Sequence, residues 1–207
     1  MKLTLLCILF HTFISVNAQL TDIKIDLSRW DEGILKKANT AVKTDYLTGE
    51  EKEVIFITNL ARINGPLFCE TILNPYLEGK PKTKYTRSLI RDLTKIRDLS
   101  PLIPQKDLYT IANLHALNSG KKGSVGHEGF DRRFKPLLGK YTMVAENCAY
   151  GFEDGATIAI QLLIDEGVSN YGHRKNMLSQ HYNSIGVSIQ THKKYRNNCV
   201  MDFGKMP

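Results

Sequence analysis

The chain predicts an α+β fold, because helical spacing fills its first two-thirds and strand alternation closes it. Val54, Ile55, Ile57, Leu60, Ala61 and Ile63 recur at the three-to-four spacing of a helix with one apolar face. Near the end, Ile185, Val187 and Ile189 alternate with Ser184, Gly186, Ser188 and Gln190, the period of a half-buried strand. Residues 198–203 form a returning strand after the turn Thr191-His192-Lys193-Lys194. Helices followed by an antiparallel hairpin imply helices layered on an antiparallel sheet.

Taken in order, residues 1–18 read as a secretory signal peptide. Lys2 supplies the positive start, residues 3–16 are mostly apolar, and Val16-Asn17-Ala18 offers a cleavage site. His11 and Thr12 break that run, whereas a spanning helix needs about 20 apolar residues. No later stretch is long enough to span. The expectation is a secreted, extracellular protein starting at Gln19 with no transmembrane segment. Residues 19–46 form an N-terminal arm that docks the only tryptophan, Trp30, with Ile34, Ala38 and Ala41 on one face of a short helix.

Residues 47–207 form the remaining domain. Thr48 and Glu51 make a capping box that opens a helix over 50–63. A second helix starts at Pro66 and stops near Asn74-Pro75. Residues 79–87 read as a polar, basic loop, and a helix covers 89–96. A further helix opens at Pro104-Gln105 and closes at Asn118-Ser119-Gly120. Short pieces follow: a helix over 130–138, an extended segment over 144–149, a buried helix from Asp154-Gly155 to Asp165 or Glu166, and a helical turn over 172–178.

After the signal peptide, 27 Lys and Arg stand against 21 Asp and Glu, a net charge of +6. Charge of that size mainly keeps a protein soluble, and in an exported chain it does not argue for nucleic acid. Cys69, Cys148 and Cys199 remain, an odd number and too few for a disulfide scaffold.

The chemistry-bearing residues gather between Gly126 and Leu178. His127 follows a glycine, Glu146 lies on the extended segment, Asp165 and Glu166 end a helix, and His173 opens the next. Imidazoles with carboxylates suit Zn²⁺ or another divalent cation. They also suit general acid–base work on water. Ser169 lies near His173, but such a pair is too common to indicate a serine hydrolase. Asn59 and Arg62 tie their helix to the sheet, His115 is a packed core histidine, and His181 and His192 belong to the surface or turns.

Gly126-His127, Glu146-Asn147, the run from Gly172 to Met177, Met201-Asp202-Phe203-Gly204 and Asn59-x-x-Arg62 together resemble the CAP superfamily, in its shorter bacterial-type branch. The superfamily comprises cysteine-rich secretory proteins, antigen 5 and plant pathogenesis-related proteins. The resemblance implies a three-layer α-β-α sandwich with a central antiparallel sheet. It also implies a cleft lined by His127, Glu146, His173 and one of Asp165 and Glu166. By this resemblance the protein is a binding module for a divalent cation, with a lipid, a sterol or a protein as further partners. The alternative is a metal-dependent hydrolase using Glu146 as base. If the strands carrying Cys148 and Cys199 are neighbours, those two cysteines form a disulfide and Cys69 is the spare thiol.

Overall fold

The computed structural model describes residues 25–207, so the expected signal peptide and the first residues of the expected arm lie outside the described residues. The arm packs through Trp30, which is buried and donates from Nε1 to Thr71 Oγ1 at 2.9 Å. Helix α1 (Glu32–Ala38) follows, capped by Asp31, and buries Ala38.

Helix α2 (Gly49–Ile63) carries the expected capping box, with the Thr48 side chain accepting from Glu51 N and the Glu51 carboxylate from Thr48 N. The other Glu51 oxygen accepts from Ile189 N in the sheet, so one buried carboxylate fixes both the helix start and its docking. The next helical run does not stop at Asn74-Pro75 as expected. It continues through α3 (Gly65–Phe68), a π-helical turn (Cys69–Leu73) and α4 (Asn74–Leu77). Pro75 lacks an N–H and would crowd the carbonyl four residues back, and the wider π turn relieves that conflict. Thr83 then caps α5 (Lys84–Leu93), so part of the expected basic loop is helix.

The short strand β1 (Ile103–Pro104) precedes α6 (Lys106–Lys122). Gly123, in the left-handed region at φ 67°, ends α6; Gly120 lies within the helix rather than closing it, and glycine is needed there because Thr191 O would lie only 2.1 Å from any Cβ. Helix α7 (Phe130–Phe134) leads to β2 (Met143–Tyr150), α8 (Gly155–Ile164) and α9 (Gly172–Met177). Strands β3 (Ser184–His192) and β4 (Arg196–Lys205) close the chain.

The sheet order is β1-β3-β4-β2. The three long strands are antiparallel, and the two-residue β1 joins β3 in parallel, making the sheet mixed. Helix α6 covers one face; α2 packs against the other face and against α8, giving the α-β-α layering. The main core lies between sheet and α2/α8, around Ile55, Leu60, Leu163, Met201 and Phe203.

The register corrects the disulfide expectation. Cys148 sits opposite Val200, and Cys199 opposite Ala149. Opposed residues share a face and successive residues alternate, so the two thiols point to opposite sides of the sheet. Cys148 packs with Ala112 and Ala116 of α6, while Cys199 lies in the main core. Among the described residues, Cys69, Cys148 and Cys199 are all free and buried.

Candidate functional site

Strand β2 is the free edge of the sheet, and two adjacent residues on it serve opposite faces. Glu146 points toward α6 and Asn147 toward α9. His127 lies in the loop between α6 and α7, and its Nδ1 meets Glu146 Oε1 at 2.8 Å. His173 begins α9, and its Nδ1 meets Asp165 Oδ1 at 2.7 Å. Asn147 Nδ2 donates to the backbone carbonyl of His173 at 3.0 Å, and Asn176 Nδ2 donates to Asn147 Oδ1. The two histidines are thus braced from one strand, around its edge.

Asp165 is the C-cap of α8, in the left-handed region at φ 60°. It also accepts from Arg174 N, which fixes its carboxylate toward α9. Between the two adjacent acids, Asp165 is therefore the partner of His173. Glu166 instead accepts from Thr83 Oγ1 at 2.9 Å and lies on the cleft wall.

An open cleft of about 560 Å³ is lined by His127, His173, Glu166, Cys148, Tyr150 and Tyr195. The side chains of Glu146 and Asp165 are fully buried behind the two rings. The expected set thus separates: His127, His173 and Glu166 face the cleft, and Glu146 and Asp165 hold the imidazoles. With Nδ1 donating to a carboxylate, each neutral ring leaves the Nε2 lone pair outward.

Sequence reasoning missed Arg133. From α7 it grips Glu146 with two bonds, Nη1 to Oε2 at 2.5 Å and Nη2 to Oε1 at 3.0 Å. Burial alone would raise the Glu146 pKa, but the bonds from His127 and Arg133 and the arginine charge outweigh it, holding the carboxyl down at about 2. Position 133 falls within a helix visible in the sequence, but nothing local distinguishes it from Arg132.

His115 is buried as expected, and it also faces this network, with Nε2 3.8 Å from Glu146 Oε1. Burial holds it below the ordinary imidazole range, so it is neutral, and its Nε2–H donates to Gly126 O at 2.9 Å. His181 is exposed, but His192 is buried, with Nε2 2.9 Å from Ser124 O. Asp202 lies directly opposite Glu146 on β4, fully buried, and neither of its oxygens has a partner among the described residues.

The ligand atoms of His115, Glu146 and Cys148 lie within 4.8 Å of one another, so this buried group could hold a metal ion. Its donors are otherwise engaged. Glu146 is taken by Arg133 and His127, His115 Nε2 by Gly126, and burial raises the Cys148 pKa far above the thiolate range. A metal there would have to displace these bonds and deprotonate the thiol.

A family model described as "CAP: Cysteine-rich secretory protein family" matches residues 87–203. No curated protein matches the chain. Among solved structures, an outer surface protein of Borrelia burgdorferi is 18% identical with a TM-score of 0.45, covering 59% of this chain and 90% of that one. A cysteine-rich secretory protein of Staphylococcus aureus is 22% identical with a TM-score of 0.42, covering 58% of this chain and 36% of that one. An extracellular SCP-domain protein of Bacillus anthracis is 18% identical with a TM-score of 0.43, covering 60% and 44%. The chain therefore spans less than half the length of the last two. No helix among the described residues is long and apolar enough to cross a membrane.

Proposed function

The chain belongs to the cysteine-rich secretory protein (CAP) family, and from that premise we propose that it acts outside the cell as a binding module whose cleft takes a divalent cation such as Zn²⁺ at His127 and His173. One observation carries this reading: both rings bond through Nδ1 to a buried carboxylate and line one open cleft. Carboxylates behind metal-binding histidines fix the tautomer and raise ligand basicity. In this reading residues 1–18 direct export, 19–46 are the arm, and 47–207 are the CAP-type domain. A lipid, sterol or protein partner would approach over the same cleft, past Val125 and Tyr195 at its mouth.

Two imidazoles lining an open cleft suit a divalent cation by their donor chemistry, and a bound cation would supply Lewis acidity there. His127 and His173 would hold it; Glu146 and Asp165 would orient them. The hydrolase alternative loses its proposed base. Both Glu146 oxygens are occupied, and its pKa of about 2 makes it a poor proton acceptor at neutral pH.

Calorimetric zinc titration of the mature protein tests the reading. His127→Ala and His173→Ala are expected to abolish binding, and Asp165→Asn to weaken it about 10- to 100-fold. Cys148→Ser is expected to leave it unchanged. If Cys148→Ser abolishes binding and the cleft variants do not, the buried group is the metal site instead.

A further inference from the structure

The net charge of this protein is not spread over its surface. Residues 79–97 contain Lys80, Lys82, Lys84, Arg87, Arg91, Lys95 and Arg97 against the single acid Asp92. That surplus of six equals the net charge of the whole chain after residue 18. All seven cations are exposed, whereas Asp92 is tied to the buried Arg174 at 2.9 Å.

Helix α5 organises these charges. At 100° per residue, Lys84, Arg87 and Arg91 fall within about 60° of arc on its solvent side. The opposite side buries Thr86, Leu89 and Leu93. The side chains of Lys84 and Arg91 make no hydrogen bond or ion pair among the described residues; Arg91 is exposed, and Lys84 lies only 5.0 Å from the centre of the Tyr85 ring. A groove of about 750 Å³ runs beside the stripe, with Lys80, Lys82, Arg87, Asn74 and Thr86 on its walls and Glu78 at its rim. Glu70, the other acid there, is neutralised by Arg29 at 2.6 Å.

We propose that the solvent face of α5 and its flanking loops is a docking surface for a linear polyanionic polysaccharide, one bearing sulfate or carboxylate groups along its chain. Charge complementarity calls for a polyanion, and the rest of the surface narrows its kind. A membrane surface is best held by cations combined with apolar side chains that insert into the headgroup region. Among the described residues the exposed large apolar ones are Val42, Ile103, Leu114, Leu117, Val125, Leu138, Met143 and Tyr195, and none lies within 79–97. Single-stranded nucleic acid is held by exposed aromatic rings that stack bases. The aromatics here are engaged: Lys80 covers the Tyr76 ring at 3.3 Å, and Tyr85 packs edge-on against Tyr171. A hydrophilic chain read by charge, with the exposed Asn74 available to its hydroxyls, is what remains.

The test uses the mature protein, a sulfated heparin oligosaccharide, and titrations across a salt series. Wild type is expected to bind with a log K that falls linearly in log salt. Lys84→Ala/Arg91→Ala is expected to weaken binding about tenfold and to flatten the salt slope by about 2, one per lost ion contact. Lys193→Ala/Lys194→Ala removes the same charge elsewhere and is expected to leave the affinity within about twofold of wild type. Circular dichroism checks that both variants remain folded. Equal weakening in the two variants overturns the proposal, because net charge alone would then explain binding. Binding to phosphatidylserine vesicles without binding to the oligosaccharide overturns it in favour of a membrane. Replacing His127 or His173 should leave oligosaccharide binding intact, which keeps this surface distinct from the cleft.

Discussion

Glu146 and Asp202 face each other across β2 and β4, yet their surroundings push them in opposite directions. Hydrogen bonds and the Arg133 charge hold the Glu146 pKa down at about 2 despite its burial. Burial, reinforced by the Glu146 charge, pushes Asp202 well above its ordinary carboxylate value. Each has its own linkage sign. A depressed acid stabilises the fold above its unfolded pKa, here 4.5, and that stability is lost as pH falls toward 2. A raised acid does the reverse, opposing folding once the pH exceeds its unfolded value of 3.8. Asp202→Asn, close in shape and never charged, is therefore expected to raise the melting temperature at pH 7. That gain should vanish below about pH 4, where the unfolded aspartate is itself protonated. Glu146→Gln is expected to lower the melting temperature at pH 7 and to flatten its decline between pH 4.5 and 2. Thermal unfolding across pH, followed by calorimetry, reads both.

At the scale of elements, helices α2 and α6 dock by different means. Helix α2 is fastened by polar contacts. Arg62, fully buried, donates to the carbonyls of Ser100, Met177, Ser179 and Tyr182. It thereby ties α2 to the segment after α9, and so to the position of His173. Asn59 makes the equivalent bonds to Ala38 and Leu102, linking α2 to the arm and to the approach to β1 rather than directly to the long strands. Removing Arg62 strips the guanidinium donors from four carbonyls, those of Met177 and Tyr182 in buried bonds. Arg62→Ala is expected to cost about 3–5 kcal/mol, measured by urea denaturation. Helix α6 docks instead by close backbone approach. A Cβ at Gly186 would lie 2.1 Å from Tyr109 N, so only glycine lets α6 sit on β3. Gly186→Ala is expected to cost about 1–3 kcal/mol or more by forcing the helix off the sheet. Because α6 carries His115 over Glu146, that variant is also expected to lose zinc affinity.

For the whole molecule, the three thiols are the simplest readout of the layering. Cys148 and Cys199 lie on opposite sheet faces and cannot pair without rebuilding the sheet, and Cys69, on the π-helical turn, is free as well. Stability must then come from the core rather than from cross-links. Denatured, unreduced mature protein is expected to release three titratable thiols, and the native protein almost none. Burial pushes the Cys69 thiol up to about 11 and raises the Cys148 and Cys199 thiols too, so the reactive thiolate is scarce in the fold. A count of one thiol after denaturation would mean a disulfide and contradict the register.

Local pattern was enough to read the fold class, the capping box of α2 and the closing hairpin, because each rests on spacing or on turn chemistry along the chain. It could not show that Pro75 is carried by a π turn or that Thr83 opens α5 inside a basic stretch, since neighbouring packing decides both. Nor could it choose between Asp165 and Glu166, because one residue of helix register, set where α8 ends in a left-handed cap, turns one acid inward and the other to the cleft. Arg133, His115 and Asp202 are unremarkable in sequence. They matter here because strand alternation and the α6 and α7 layer bring them to Glu146, and burial then makes each charge and each lone pair count.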